Sequence, residues 1–406
     1  MLSSQWPRFF GGVLLVAGTT IGAAMLALPV ATGVAGYFPA LLLFTLFWLY
    51  MLYTALLFVE VNSWVGEGSN LISMAHKVLG RGGKLFCWLG YLFLLYALMT
   101  AYIAGSSSIL SDLISQLTGV CSLGISSALP LLLFIALLLL HGVRNIDYFN
   151  RVLMLLLAMS YFLLVALLVD DMEPNLLFHW GSTSSILLAM PIVATSFGYH
   201  IIIPSLYNYL QGDVPLLRRT LIVGSIIPLA TYLLWETISL SIIPLEGEFG
   251  ILTGWKEGKS GVQLLLPLLG DGWLASVASS FSFFAILTSV LGVSLGLFDF
   301  LGDGLKLNGS WSNDLLLLLL TFLPPLLITA WDPRSFLTAL EYAGAFGVML
   351  LLGLMPTLMV WRGRYRLGLK GAYRAPGGRP LLLLTGFVAL LVCLIQLSHQ
   401  LGLLQI

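Results

Sequence analysis

The sequence predicts an all-α integral membrane protein with eleven transmembrane helices, built as two inverted repeats of five helices followed by one additional helix. Three observations predict this: an unusually apolar composition, basic residues confined to alternate loops, and two similar interruptions in distant apolar segments. Of the 406 residues, 59% are hydrophobic and only 9% are charged, whereas an average soluble domain has about 25% charged residues. Because so few charged side chains cannot cover a soluble protein of this size, the apolar residues must face membrane lipid.

The spans are delimited by charges and turn residues, since a helix needs about 20 apolar residues to cross the hydrocarbon core. The first is preceded by Arg8 and lacks the small-residue cleavage site of a signal peptide, so we expect it to be retained. The longest loop, residues 245 to 272, is too short to enclose a core of its own. The predicted spans are residues 9 to 31, 37 to 60, 86 to 108, 127 to 142, 152 to 170, 186 to 209, 220 to 244, 273 to 298, 315 to 331, 335 to 361 and 381 to 404.

The distribution of lysine and arginine predicts the orientation. Under strict alternation of the eleven spans, fifteen of the 18 basic residues fall on one side, and only Lys256, Lys259 and Arg334 fall on the other. Because cytoplasmic loops are enriched in basic residues, the N-terminus is expected in the cytoplasm and the C-terminus outside. The net charge is zero, so the chain has no excess of basic residues with which to bind nucleic acid. We therefore expect membrane lipid, and not nucleic acid, as its surroundings.

Two spans contain a glycine and several hydroxyl side chains where their apolar run is interrupted. Because the second interruption lies five spans after the first, an odd offset, the second copy is upside down in the membrane, which is typical of inverted-repeat transporters. The repeats would be residues 1–170 and 184–361, with 380–406 forming the additional helix. The interruptions are Ala17-Gly18-Thr19-Thr20-Ile21-Gly22, closed by Pro29, and Thr195-Ser196-Phe197-Gly198-Tyr199-His200, closed by Pro204.

These interruptions predict a binding site for a zwitterion. Glycine lets the chain leave helical geometry, and the unwound backbone presents N–H groups to a carboxylate and carbonyl groups to an ammonium group or a cation. Phe197 and Tyr199 would supply an aromatic wall, and His200 a hydrogen bond to a hydroxyl group. The alternative is structural: small residues allow close helix packing, the aromatic rings pack against neighbouring helices, and His200 is a buried core residue.

Seven stretches of the chain carry motifs of a known family: residues 16–29, 53–57, 96–102, 195–205, 292–299, 322–325 and 377–380. They resemble the hydroxy and aromatic amino acid permeases of the amino acid-polyamine-organocation superfamily, and most closely the tyrosine-specific permeases of bacteria. The resemblance covers nearly the whole chain. It implies a LeuT-type fold with an eleventh helix in the bacterial inner membrane, and import of aromatic amino acids, tyrosine favoured, by cation symport with alternating access and without a cofactor.

The resemblance also implies roles for individual residues. The first interruption would hold the carboxylate and amino groups of the substrate, and the second would complete the pocket. Two tyrosines of the third span would face the same cavity, although they also suit an aromatic packing pair. The implied substrate-binding residues are Ala17, Gly18, Thr19, Thr20, Ile21, Gly22, Tyr96, Tyr102, Ser196, Phe197, Gly198, Tyr199 and His200.

The coupling ion stays open between a proton and sodium. The resemblance implies a proton, but proton-coupled relatives often carry a lysine in the fifth span where this chain has Leu157. Thr288 and Ser289 of the eighth span stand where LeuT-type sodium sites take hydroxyl ligands, although such hydroxyls also commonly bond to their own helix. Glu236 and Glu341 lie inside spans and are candidate proton carriers. No metal site is expected.

Other functional classes fit the sequence less well. It contains no HExxH motif, no paired carboxylates at glycosidase-like spacing and no nucleotide-binding motif, so we do not expect an enzyme. Cys87, Cys121 and Cys393 lack the spacing of a redox or metal site. A channel, or a carrier for another small polar solute, remains the alternative from a different class.

Overall fold

A computed structural model describes residues 5–66, 68–118, 124–140, 143–270, 272–307, 310–332 and 334–404. Within these ranges the regular structure is entirely helical. Nine helical stretches in the described ranges are long and apolar enough to cross a membrane, and two of them, Thr183–Tyr209 and Ser335–Tyr365, join shorter consecutive helices. A bent pair of helices at the N-terminal end adds a tenth crossing if it counts as one span. The predicted class, an all-α integral membrane protein, is therefore confirmed.

We number the α-helices in chain order, and a further stretch of π-helix, Ala343–Leu354, is called the π segment. The helices are α1 Gln5–Thr20, α2 Ala24–Gly33, α3 Tyr37–Val65, α4 Leu71–Thr118, α5 Leu129–Leu140, α6 Val143–Leu168, α7 Thr183–Ser196, α8 Ile203–Tyr209, α9 Val214–Leu240, α10 Ile251–Glu257, α11 Gly261–Leu269, α12 Trp273–Leu305, α13 Trp311–Trp331, α14 Ser335–Tyr342, α15 Met355–Tyr365 and α16 Gly378–Gln400.

The fourth predicted span, residues 127 to 142, coincides with α5 and is the shortest. A 3₁₀ turn, Gly124–Ala128, leads into α5, which has 12 residues. At 1.5 Å per residue such a helix is about 18 Å long, well short of the hydrocarbon core of a bilayer. Every predicted span thus has a helical counterpart, but the described part of this one is too short to complete the count of eleven. Cys121 lies outside the described residues.

Several helices begin earlier than the apolar segments predict. α4 starts at Leu71 rather than 86, and α6 starts at Val143 rather than 152. Hydropathy detects only the part of a helix that lipid surrounds, whereas a helix continues into water wherever its backbone bonds are satisfied. In α4 the change of direction falls at Gly80, whose φ of 80° suits glycine alone. The predicted loop 245–272 likewise contains α10 and α11.

The helices that carry the two interruptions pack against α9. α9 runs along α1 and α3, while α2 packs against α7. On the other side of the molecule α12 packs along α4 and α6, and α14 and the π segment lie between α4 and α7. This packing brings the middle of α1–α2, the middle of α7–α8, and one face each of α9 and α12 to the same region.

A buried ion pair lies where α3, α15 and the loop before α16 meet. Glu60, only 1% exposed, accepts a hydrogen bond from Arg364 Nε at 2.7 Å and a second from Arg364 Nη2. It also accepts one from the Ala375 backbone N–H at 2.7 Å. Glu60 thus anchors the loop before α16. Asp299 in α12 is exposed.

Candidate functional site

The first interruption separates α1 from α2. α1 ends at Thr20, α2 begins at Ala24, and their axes differ by 57°. Within the described residues, the backbone N–H groups of Gly22 and Ala24 have no hydrogen-bond partner. A Cβ atom on Gly22 would lie 2.6 Å from Ser289 Oγ, so any larger residue here would displace the Ser289 hydroxyl group or the chain where it passes α12. The predicted break in the first span is therefore present, and it leaves free donors.

The second interruption separates α7 from α8. α7 ends at Ser196, and residues 197–199 are irregular before a 3₁₀ turn, His200–Ile202, leads into α8. Pro204 occupies the first turn of α8, where a proline lacking an N–H is tolerated. Gly198 is partly exposed, and its N–H donates to the Thr195 carbonyl at 3.2 Å. The predicted break in the sixth span is also present.

The two interruptions meet at the side chain of Tyr232 in α9. The Tyr232 hydroxyl group donates to the carbonyl oxygen of Thr20 at 2.7 Å and to that of Ser196 at 2.9 Å. Thr20 and Ser196 are the last residues of α1 and α7, so these carbonyl groups stand at the negative ends of two half-helices. The Tyr232 ring is fully buried and contacts the Phe197 ring edge-on, with centroids 5.2 Å apart. This arrangement concentrates hydrogen-bond acceptors at one point.

Sequence reasoning missed Tyr232. It is one of 15 tyrosines and lies in an otherwise apolar segment, where a tyrosine usually packs its ring against neighbours. The available signal was its position four residues before Glu236, which puts both side chains on one face of a helix. That signal alone does not single out a binding residue.

The predicted hydroxyl side chains bond to their own helices. Thr20 Oγ1 donates to the Val16 carbonyl at 2.6 Å, and Ser196 Oγ donates to the Ile192 carbonyl at 3.1 Å. Thr19 is exposed and donates to the Leu15 carbonyl at 2.7 Å. Their protons are therefore engaged, and each oxygen keeps only lone pairs for a ligand.

Two other residues of the first span that were predicted to bind substrate, Ala17 and Gly18, lie close to the break and have no polar side chain. Ala17 is buried, and its carbonyl accepts the N–H of Ile21 at 2.9 Å. Gly18 faces α6, where an added Cβ atom would lie 3.0 Å from the methyl group of Met154. Gly18 thus permits close approach of α6 to the break, which is the packing role considered above.

His200 faces α3 and is fully buried. Its Nε2 atom lies 2.8 Å from the Thr54 hydroxyl oxygen. The ring stacks on Tyr199 with centroids 5.2 Å apart and meets the edge of Phe58 at 6.5 Å. Because its contacts with other helices are made to α3, His200 packs the second interruption against α3 in this conformation.

The two tyrosines of α4 have different surroundings. The Tyr96 hydroxyl group donates to the Leu320 carbonyl of α13 at 2.8 Å, and its ring belongs to a small apolar cluster between α4, α12 and α13. The structure therefore does not bring Tyr96 to the interruptions. Tyr102 is 7% exposed and belongs to the main buried core.

Ser289 contacts the first interruption, as its predicted role requires. Its Oγ atom accepts the N–H of Ala23 at 2.8 Å and donates to the Ala285 carbonyl at 2.9 Å. Thr288 donates to the carbonyls of Phe284 and Ala285, both at 3.0 Å. A sodium ion at Ser289 Oγ would have to share the oxygen with an N–H donor, which repels a cation.

Glu236 is fully buried in α9, one helical turn beyond Tyr232. One carboxyl oxygen is hydrogen-bonded to the hydroxyl of Thr32 in α2, and the other has no partner within the described ranges. The Thr32 hydroxyl already donates its proton to the Leu28 carbonyl at 2.7 Å. Because no described cation pairs with Glu236, the contact is best satisfied by a neutral carboxylic acid that donates to Thr32.

Glu341 occupies a more polar setting between α14 and α16. It is 5% exposed and accepts a hydrogen bond from Gln396 Nε2 at 2.9 Å. His399 Nδ1 lies 3.8 Å from the same carboxyl oxygen. The two candidate carboxyl groups thus differ: Glu236 lies on the helix face that meets both interruptions, and Glu341 faces α16.

Two interrupted helices that meet over shared backbone acceptors are typical of membrane transport proteins. Comparison with known sequences specifies the class. The model of the tryptophan/tyrosine permease family matches residues 5–397. The chain belongs to this family.

Named relatives cover nearly the full length of the chain. Tyrosine-specific transport system 2 of Haemophilus influenzae is 34% identical, with 97% of each chain aligned. The tryptophan-specific transport protein of Pseudomonas aeruginosa is 32% identical over 94% of this chain and 92% of its own. The tyrosine permease of Enterobacter agglomerans is 26% identical over 97% of each. The protein is therefore a transporter of aromatic amino acids and not an enzyme, and the resemblance noted in the sequence is confirmed.

Proposed function

We propose that the protein imports aromatic amino acids, tyrosine favoured, across the bacterial inner membrane by proton symport with alternating access. The proposed framework is a LeuT-type fold of eleven spans, with residues 1–170 and 184–361 as inverted repeats and 380–406 as the additional helix. The observation that carries the proposal is the convergence of the Thr20 and Ser196 carbonyls on one hydroxyl group.

The two interruptions offer complementary groups to an amino acid. The carbonyls at the ends of α1 and α7 suit an ammonium group. The free N–H groups of Gly22 and Ala24, at the positive start of α2, suit a carboxylate. Phe197 lies beside the same point and supplies an aromatic surface. The site therefore matches the three parts that tyrosine, phenylalanine and tryptophan share.

The proton is favoured as the coupling ion by the setting of Glu236. A buried carboxylate without a cation is costly, whereas a neutral acid has no charge to compensate and can donate its proton to the Thr32 hydroxyl oxygen. Release of its proton to the cytoplasm would then require a conformational change that brings water or a cation to the carboxyl group. Sodium coupling is the alternative, but the contact of Ser289 Oγ with the Ala23 N–H weakens the site it would need.

The orientation is supported by the charge distribution. With fifteen of 18 basic residues on one side of the proposed spans, that side faces the cytoplasm, so the N-terminus lies inside and the C-terminus outside.

Counterflow is expected in proteoliposomes that contain the purified protein and are preloaded with unlabelled tyrosine. External labelled tyrosine should accumulate transiently above its equilibrium level, because a carrier exchanges one substrate for another. Among competitors, unlabelled tyrosine should inhibit most strongly, and protein-free liposomes should show no overshoot. An absent overshoot would indicate a channel. If tryptophan inhibits more strongly than tyrosine, tryptophan is the favoured substrate.

A proton gradient alone is expected to drive net uptake. With the lumen one pH unit more alkaline than the outside and no sodium present, labelled tyrosine should accumulate about tenfold if one proton moves with each substrate. A protonophore should abolish this accumulation. Accumulation driven by a sodium gradient at equal pH would instead assign the coupling to the region of Thr288 and Ser289.

A further inference from the structure

Tyr232 connects the two interrupted helices directly. Among the described residues, no other side chain hydrogen-bonds to both of them. Its hydroxyl group reaches the Thr20 carbonyl at 2.7 Å and the Ser196 carbonyl at 2.9 Å, while its ring is 0% exposed and contacts Phe197. The position of this hydroxyl group is therefore fixed by packing and does not depend on solvent.

Where Tyr232 meets the two carbonyl groups, hydrogen-bond acceptors outnumber donors. A phenol has one proton to donate, whereas two carbonyl oxygens offer four lone pairs. Within the described residues, no other donor bonds to the Thr20 or Ser196 carbonyl across the interruptions. Lone pairs thus remain unused on two carbonyl groups whose half-helix dipoles add to their negative charge. An ammonium group, with three N–H donors and a positive charge, matches this surplus.

We propose that Tyr232 positions the ammonium subsite by holding the carboxyl ends of α1 and α7 at the separation that one ammonium group can bridge. The proposal rests on the proposed function, because it assumes that the substrate amino group binds at the interruptions. Tyr232 shares its one proton between the two carbonyls, and the substrate ammonium group donates to the lone pairs that remain. Loss of the hydroxyl group would let the two helix ends relax apart and would weaken binding of the ammonium group specifically.

The test compares three ligands in the purified full-length protein: tyrosine, tyramine, which lacks the carboxylate, and 3-(4-hydroxyphenyl)propionate, which lacks the amino group. Inhibition constants against labelled tyrosine are measured for the wild type and for Tyr232→Phe, which keeps the ring contact with Phe197. We expect about a tenfold rise in the inhibition constants of tyrosine and tyramine in the variant, the size of one lost charge-assisted hydrogen bond. The constant for 3-(4-hydroxyphenyl)propionate should not change, and KM for tyrosine should rise more than the maximal rate falls.

Tyr161→Phe is the matched control. The Tyr161 hydroxyl group also donates to a backbone carbonyl of α9, that of Thr231 at 2.9 Å, and its ring contacts Phe281. It does not bond to either interruption, so its loss should leave all three inhibition constants unchanged. If Tyr232→Phe is not recovered in folded form, Tyr232→Met provides a second variant without a hydroxyl group.

The outcomes separate this proposal from the proposed function. An equal rise for all three ligands in Tyr232→Phe, or no rise for any, would overturn the positioning role while the transport function stands. If the wild type binds 3-(4-hydroxyphenyl)propionate as tightly as tyrosine, the ammonium subsite itself fails, whatever Tyr232 does.

Discussion

Gly22→Ala is expected to abolish tyrosine uptake while the protein still inserts into the membrane. The added Cβ atom would lie 2.6 Å from Ser289 Oγ, a distance that real Cβ atoms do not show. Either Ser289 Oγ rotates away, which removes the hydrogen-bond acceptor of the Ala23 N–H, or the chain between α1 and α2 moves away from α12. Both changes disturb the segment that carries the free N–H groups of Gly22 and Ala24. The measurement is initial uptake of labelled tyrosine, normalised to the amount of protein in the membrane, with a loss of more than tenfold expected. Gly22→Leu should be at least as damaging.

A second substitution tests whether this contact is the cause. In Gly22→Ala/Ser289→Ala the hydroxyl oxygen is gone and the nearest atom of residue 289 is the Cβ atom, 3.9 Å away. Uptake should therefore recover in part, although Ala23 loses its hydrogen-bond acceptor. Gly82→Ala is the control, because Gly82 is exposed and an added Cβ atom meets nothing within 4 Å. Normal uptake by Gly22→Ala would remove the first interruption from the site.

Glu236→Gln should abolish accumulation driven by a proton gradient but preserve exchange of tyrosine across the membrane. Glutamine keeps the size of the side chain and can donate to Thr32 as the neutral acid does, but it cannot release a proton. Accumulation under an imposed pH gradient should fall from about tenfold to none, while counterflow of labelled tyrosine continues. Both assays use the same proteoliposome preparation, so loss of one with retention of the other cannot reflect misfolding.

Glu257→Gln is the control for Glu236→Gln. Glu257 forms an exposed ion pair with Lys259, 2.6 Å apart and outside the transmembrane helices, and pairs of this kind contribute little. Its loss should leave both assays unchanged. Accumulation that persists in Glu236→Gln would transfer the proton-carrying role to another group, with Glu341 the remaining buried candidate.

The class of fold and the two helix breaks could be predicted from the sequence because both depend on strong local signals. Long apolar segments have few structural solutions in a membrane, and glycine with hydroxyl side chains inside such a segment favours an interruption. Gly22 and Gly198 accordingly lie at breaks in the structure. The family was also accessible, since its motifs extend over nearly the whole chain.

The contacts of individual side chains could not be predicted because they depend on which helices become neighbours. Nothing near His200 in the sequence shows that Thr54 will face it, and Tyr96 turns to Leu320, which is 224 residues away. The role of the Tyr232 hydroxyl depends equally on two distant carbonyl groups. The start of α4 was missed for a different reason, since its first turns lie beyond the apolar segment and carry charges.

The ion pair of Glu60 and Arg364 constrains how the protein moves during its transport cycle. The side chains of Glu60 and Arg364 are 2% and 3% exposed, and separating a buried pair leaves two unpaired charges at a penalty of about 3–5 kcal/mol. In the proposed orientation, opening toward the cytoplasm by parting α3 from α15 would incur that penalty in every cycle. The lower-energy route keeps α3, α15 and the adjoining loop together as one rigid unit, so that any hinge at the inner face lies elsewhere in the bundle.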